Sequence, residues 1–210
     1  MKIEIWSDIM CPFCYIGKRR LENALERFPH RDEAEIVWKS FQLNPSMKTE
    51  PGKSITEYLA EKKGWTLEFT RQQHERLTQA ARDLGLLYDF DRAVVANSFD
   101  AHRLIQAAKA KGLGDPMEER LFKAYFSEGG NIADHETLVR LGREAGLDGA
   151  EAERVLVGGA FAEEVEADIR EASQLGITGV PFFVFDRTFA VSGAQETGVF
   201  LKALERARAG

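Results

Sequence analysis

Cys11 and Cys14 are the two cysteines of this 210-residue chain, and they enclose Pro12 and Phe13. Thiols at this spacing can form a dithiol–disulfide couple, supply half of a metal site, or serve as small inert core residues. Their surroundings choose among these. Pro12 follows the strand-like "KIEIW" (2–6) and suits the first position of a helix, where its missing N–H costs nothing. Cys11 then sits at or beside the N-cap. Unpaired backbone N–H groups and the helix dipole stabilise a thiolate there, and C-x-x-C thiols in such places fall below the free pKa of about 8.5. In that reading Cys11 is the nucleophile. Cys14, on the same side of the first turn, is placed to attack a mixed disulfide formed at Cys11.

The rivals need more than the chain offers. A structural zinc site built on C-x-x-C usually brings a second such pair. Here there is no third cysteine, and His30, His74, His102 and His135 are scattered, so no metal is expected. Inert core thiols would not need to cap a helix after a strand, whereas C-x-x-C near a βαβ pattern is a redox cue.

The elements that must position the pair follow from periodicity. After "KIEIW", apolar residues Cys14, Leu21, Ala24, Leu25 and Phe28 recur at helical spacing up to Pro29, and "AEIVWKSF" (34–41) reads as a second strand. Strand, helix and strand in about forty residues favour a right-handed crossover with parallel pairing. Beyond the loop "NPSMKTEPGK" (44–53), helix starts come in series: Ser54 with Glu57, Asp115 before Pro116, Asp134, and Asp148 with Glu151. "AVVANSFDAHRLIQAAKA" (93–110) and "EERLFKAYF" (118–126) read as helices, and residues 54 to about 157 as all-helical. Phe161, Val165, Ile169 and Ala172 then mark a helix that Gly176 can end. "PFFVF" (181–185) and "FAVSG" (189–193) suggest a hairpin around Asp186 and Arg187, and 195–208, with Val199, Leu201 and Leu204, a last helix. The expected class is α/β: one four-stranded sheet from residues 1–45 and 158–210, interrupted by a helical insertion over 46–157.

Composition narrows the partners. With 34 acidic and 28 basic residues, a formal charge of −6 and no basic block, the chain offers no footprint for nucleic acid or anionic lipid. No apolar run has the length of a signal peptide or a membrane span, so a cytoplasmic protein is expected if Met1 is the start. Structural disulfides are rare in that compartment, which favours a catalytic or metal-binding pair.

"DIMCPFCYIGKRRLE", "NSFDAHRLIQAA", "LFKAYFSEGGNI" and "GITGVPFFVFDRTFAVSGAQ" occur in this order. Together they resemble the DsbA-like branch of the thioredoxin superfamily, and within it the FrnE-like group, along nearly the whole chain. The resemblance implies a thioredoxin fold (β-α-β … α-β-β-α) carrying a helical insertion. It implies that Cys11 attacks, that Cys14 resolves, and that Val180–Pro181 is a cis bond beside them, with the Val180 backbone offered to a substrate strand. An apolar groove between the two parts would hold substrate, with Pro12, Phe13, His102 and Asn97 as contacts. His102 shares a stripe with Val95, Phe99 and Gln106, so a hydrogen-bonded histidine at a domain interface is the plainer reading.

The implied activity is that of a thiol–disulfide oxidoreductase or isomerase with no tightly bound cofactor, glutathione as a co-substrate, and a protein or small-molecule disulfide or thiol as substrate. A monomer or a homodimer is expected. Related isomerases and kappa-class glutathione transferases share the architecture but generally have serine where Cys11 stands; they are the alternative. A chaperone-like binder without turnover is a third reading.

Two departures from the family stand out. Ile5 occupies the place, six residues before the first cysteine, where many thioredoxin-like proteins bury an acid; Asp8 is the nearest acid. The Pro12–Phe13 dipeptide lacks the histidine of the strongly oxidising members. A milder thiolate should then put the potential between about −120 and −270 mV.

Overall fold

The computed structural model describes residues 1–209. Its principal sheet is built on β1 (Lys2–Ser7), which is buried from Ile3 onward because it has a neighbour on each side. β2 (Glu35–Ser40) pairs with it in parallel, from Lys2 opposite Glu35 to Ser7 opposite Ser40. β5 (Phe182–Phe185) pairs on the other side, antiparallel, with Ile3 opposite Phe185 and Trp6 opposite Phe182. β6 (Phe189–Ser192) completes the order β2-β1-β5-β6. Asp186 and Arg187 turn the hairpin with φ of 44° and 56°, the left-handed pair of a tight hairpin turn whose twist suits the strands. Arg187 reaches back from that turn to Glu4, a carboxylate buried in mid-strand, with two bonds of 2.7 and 2.8 Å.

The connection between β1 and β2 is α1 (Pro12–Arg27). It packs on the sheet beside α9 (Thr197–Ala209). Gly17 is the point of closest approach, because a Cβ there would stand 3.0 Å from Pro181 Cγ and 3.1 Å from Phe183 Cζ. α8 (Ala162–Gln174) lies by β2, and Trp6 donates to the Asp168 carbonyl at 3.0 Å. Buried Asp168 also accepts from the Ser40 N–H, Gln106 and Lys39, joining the sheet to the insertion.

The insertion carries α2 (Ile55–Lys63), α3 (Leu67–Arg82), α4 (Phe99–Lys109), α5 (Gly114–Lys123), α6 (His135–Glu144) and α7 (Gly149–Val157). α4 is its axis, buried from Ala101 to Ala108 and packed against α5, α6, α7 and α8. Expected caps form at Ser54, Asp134 and Asp148. α5 instead starts two residues early, after Leu113. Tertiary contacts take Asp115: its carboxylate accepts from Trp38 Nε1 at 3.0 Å and lies 3.5 Å from Lys18.

The insertion is not helical throughout. β3 (Glu50–Ser54) pairs antiparallel with β4 (Val94–Val95). Pro51 hid the first as a loop, and Val94 and Val95 fell in step with the helix that follows. The chain after α5 passes through a wide π turn, Ala124–Glu128, closed by Gly129 at φ 69°. On α9, Phe200 rather than Val199 is the buried anchor; Val199 is exposed. Among the tryptophans, Trp6 and Trp38 are core, while Trp65 stays at the surface, edge-on to Phe69. One hydrophobic cluster runs from Ile3, Ile5 and Leu21 through Phe122 and Tyr125 to Leu104 and Leu141, so sheet and insertion share a core.

Candidate active site

Cys11 is the N-cap of α1, with φ −87°, ψ 110° and Pro12 at the first helical position. Its N–H donates to the Asp8 carbonyl at 2.9 Å, and the Cys14 N–H donates to the Cys11 carbonyl at 3.0 Å, which winds both thiols into the first turn. Both are free thiols and both are buried, 3% and 1% exposed. The Cys11 thiol donates to the Val180 carbonyl at 3.4 Å, and the Val180–Pro181 peptide is cis. Gly193 N–H holds the Pro181 carbonyl at 2.8 Å. The second expected site segment therefore stands against the first, although some 170 residues separate them.

Around the thiols the surface is apolar. Phe13 is half exposed on the first turn, as is Leu43 on the chain leaving β2, and Met10 and Val180 are partly exposed. The Tyr88 hydroxyl donates to the Pro12 carbonyl at 2.7 Å, and Tyr88 stacks on Phe126 at 4.6 Å, so an aromatic wall of the insertion clamps the cysteine turn. Tyr15 stacks on Phe122 at 4.9 Å in the same wall. Beside it Lys18, almost fully buried, pairs with Glu22 on its own helix and with Glu119 (2.9 Å) and Asp115 on α5. The attractions outweigh burial, and the Lys18 ammonium is held above its ordinary range.

The two thiols differ in environment. Burial, and then the neighbouring Cys11, push the Cys14 thiol well above its usual value; the Asp8 backbone N–H and the Ser7 hydroxyl oppose this without reversing it. Asp8 itself is engaged in structure: Oδ2 accepts from the Leu43 N–H at 2.8 Å and Oδ1 from the Met10 N–H at 3.3 Å. It braces the chain on both sides of the cysteine turn.

Two expected substrate contacts lie elsewhere. His102 is 1% exposed and faces inward, with Nε2 3.5 Å from Asp8 Oδ1. It is buried where α4 meets the end of β1, without the hydrogen bond that the plainer reading of its stripe expects at Nε2. Asn97 is occupied in pinning the linker: it accepts from Gln42 and the Phe99 N–H, both at 2.9 Å, and donates to the carbonyls of Met47 (2.9 Å) and Pro45 (3.3 Å).

Sequence reasoning passed over Ser7, Tyr88 and Glu118. "EERLFKAYF" reads as a helix, and in it Glu118 shares the apolar stripe of Leu121, Phe122 and Tyr125. A carboxylate in such a stripe is the signal that was available. In the fold Glu118 is 1% exposed, and burial pushes its carboxyl up to about 7. Among the described residues, no group of three or more His, Cys, Asp or Glu side chains is arranged to hold a metal ion, and no helix is long and apolar enough to cross a membrane.

The chain is similar to several known proteins. It is 42% identical to a probable DsbA oxidoreductase from Streptomyces coelicolor, with a TM-score of 0.94 over all of this chain and 90% of that one. The uncharacterized protein YwbO of Bacillus subtilis (strain 168) is 29% identical over 204 residues, 96% of this chain and 94% of its own. The cytosolic disulfide reductase DsbM from Pseudomonas aeruginosa, whose structure has also been solved with GSH, shares the fold at a TM-score of 0.63 and 24% identity over all of this chain and 96% of its own. A DSBA-like thioredoxin domain profile matches residues 2–205. With a dithiol turn set against a proline-led strand inside that match, the chain belongs to the DSBA-like thioredoxin domain family.

Proposed function

We propose that the protein is a thiol–disulfide oxidoreductase of the FrnE-like group that works through Cys11 and Cys14. The observation that carries this reading is the placement of Cys11 at the N-cap of α1, one turn from Cys14 and against Val180. The Cys11 thiolate attacks a substrate disulfide and releases one thiol. Cys14 then attacks Cys11 Sγ in the mixed disulfide, releases the second thiol and leaves the Cys11–Cys14 disulfide. Two electrons pass to substrate; the reverse sequence oxidises it.

Substrate binds over Phe13, Leu43 and Val180 as an extended apolar segment, its backbone meeting that of Val180. This replaces the wider groove that included His102 and Asn97. Glutathione is the small thiol that recycles the pair; the likeness in fold to a disulfide reductase solved with GSH supports this choice. In a cytoplasmic compartment poised at or below roughly −220 mV, a couple between about −120 and −270 mV rests mainly as the dithiol, so its work there is reduction or isomerisation.

The test is reduction of a peptide disulfide with glutathione as the recycling thiol. Cys11→Ser should abolish turnover, while Cys14→Ser should accumulate a mixed disulfide at Cys11 detectable by mass. Unchanged turnover in Cys11→Ser would refute the assignment. Isomerisation of a small organic substrate by Cys11→Ser would favour the glutathione-dependent isomerase instead.

A further inference from the structure

Between the two cysteines, Pro12 has no N–H, so its carbonyl is the one polar group by which it can be held. That carbonyl accepts from Tyr88 Oη at 2.7 Å. The turn's own backbone bonds lie to either side, from the Cys11 N–H back to Asp8 and from the Cys14 N–H to the Cys11 carbonyl. Tyr88 belongs to the insertion, in a stretch without regular structure between α3 and β4. We infer that Tyr88 is a positioning residue that presets Cys11 and Cys14 for closure of their disulfide and thereby sets how oxidising the pair is. This rests on the reaction given under Proposed function and adds to it a residue of the insertion that governs the closing step.

The surroundings of Tyr88 aim its hydroxyl. Tyr88 is 7% exposed, and the chain is tied down on both sides of it: the Asp89 N–H donates to the Phe126 carbonyl at 2.7 Å, and the Leu87 carbonyl accepts from the Ser127 hydroxyl. Phe126 and Ser127 both lie in the wide π turn that follows α5, a rare form found often at functional sites. The Tyr88 ring is stacked on Phe126 at 4.6 Å and stands edge-on to Phe90 at 5.7 Å. The phenol is thus carried by packed structure rather than by a free loop. Burial above all, and then Cys11, hold its hydroxyl far above the ordinary tyrosine value, so it stays a donor wherever the thiols work.

The direction of the effect follows from what each form of the turn can do. In the disulfide form the covalent bond itself fixes the turn. In the dithiol form only weaker ties do, and an intramolecular attack gains from ties that already hold the reacting atoms in place. The Tyr88 bond removes freedom that closure would otherwise have to remove, which favours the disulfide and lowers the potential. Without the hydroxyl the dithiol turn is looser, closure is harder and the potential is higher.

The closing step balances without Tyr88 as a reactant. The Cys14 sulfur bonds to Cys11 Sγ as the bond from Cys11 to substrate breaks. The substrate sulfur departs with the electron pair and takes up the proton that Cys14 gives up. Tyr88 passes neither proton nor electron.

The experiment compares the full-length wild type with Tyr88→Phe, which keeps the ring and its stacking, using reduced and oxidised glutathione as probes. At a fixed glutathione poise the ratio of disulfide to dithiol should fall about tenfold, as the loss of one buried hydrogen bond allows. That is a potential about 30 mV higher. When the reduced chain meets glutathione disulfide, the mixed disulfide at Cys11 should form at the wild-type rate and last about tenfold longer before Cys14 resolves it, read by mass after acid quenching. A potential or a lifetime that stays at the wild-type value would overturn the inference, as would a lower potential or an equal slowing of both steps. If Tyr88→Phe does not fold, Ser127→Ala, which loosens the stretch carrying Tyr88 at a partly exposed position, should move both readouts the same way by about threefold, and unchanged values there would overturn it. Failure of the wild type to form the Cys11–Cys14 disulfide would instead overturn the oxidoreductase reading, and this inference with it.

Discussion

Cys11 and Cys14 are neighbours in the first turn of one helix and both are buried, yet the Cys11 thiol meets the Val180 carbonyl while the Cys14 thiol is held well above its usual value. The Cys14 thiol resists ionisation, because burial and the adjacent sulfur both act against its charge. Alkylation of the reduced protein at pH 6–7 should therefore modify Cys11 well before Cys14. Peptide mass mapping over a time course checks this; equal labelling of both would contradict the geometry. His102 gives a prediction of another kind. As a buried histidine beneath the thiols, it should on His102→Ala lower the melting temperature together with turnover, by about 1–3 kcal/mol of stability, rather than turnover alone. Thermal unfolding beside the activity assay separates the two.

At the level of elements, the alternation of "KIEIW", Pro12 after Cys11 and the Asp186–Arg187 turn were readable because each is a local rule of backbone geometry. The Cys11–Cys14 turn is thus legible from local rules, whereas Val180–Pro181 enters only as what the family resemblance implies. β3 and β4 were not readable, since Val94–Val95 is a strand only because residues 50–54 lie beside it. Asp115 was misread as a cap for the same reason: Trp38 and Lys18, distant in sequence, claim its carboxylate. The close approach of α1 to β5 is another such fact, and it can be tested. Gly17→Ala must push Pro181 and Phe183 aside by a few tenths of an ångström, which in a packed core costs about 1–3 kcal/mol. Denaturant unfolding measures the loss, and a deeper fall in turnover than in stability would show that Pro181 had moved relative to Cys11. At the hairpin, burial raises the Glu4 carboxyl but Arg187, Lys2 and Lys39 outweigh it, so the folded value lies below the ordinary one. The stabilisation from that ionisation is present above the unfolded carboxylate value of about 4.3 and is lost as pH falls through the lower folded value. Arg187→Ala should lower stability at pH 7 and reduce the difference between pH 7 and pH 3, as read by melting temperature.

For the whole molecule, the arrangement of sheet and insertion follows from burial that no single segment reveals. Residues 46–157 looked like a separate helical unit in the sequence, but α4 and α5 bury Leu104, Leu121 and Phe122 in the same cluster as Ile3, Ile5 and Leu21. Lys18 adds a nearly buried charge on the redox helix that only the insertion and Glu22 neutralise. Both Lys18→Met and Lys18→Ala remove the charge that Glu22, Glu119 and Asp115 share, but Lys18→Met should be tolerated better because Lys18→Ala also leaves a cavity. The expected ordering of melting temperatures is wild type or Lys18→Met highest and Lys18→Ala lowest.

Because α1 is wedged into that shared core, the two cysteines and the rest of the fold are terms of one thermodynamic cycle. Whatever the disulfide adds to or removes from the stability of the folded chain must reappear in its potential, at about 1.4 kcal/mol for each 30 mV. Unfolding the dithiol and disulfide forms side by side makes the protein report its own reduction potential against the unfolded chain, with no redox buffer present. A disulfide form less stable than the dithiol would mark an oxidant, and a more stable one a reductant.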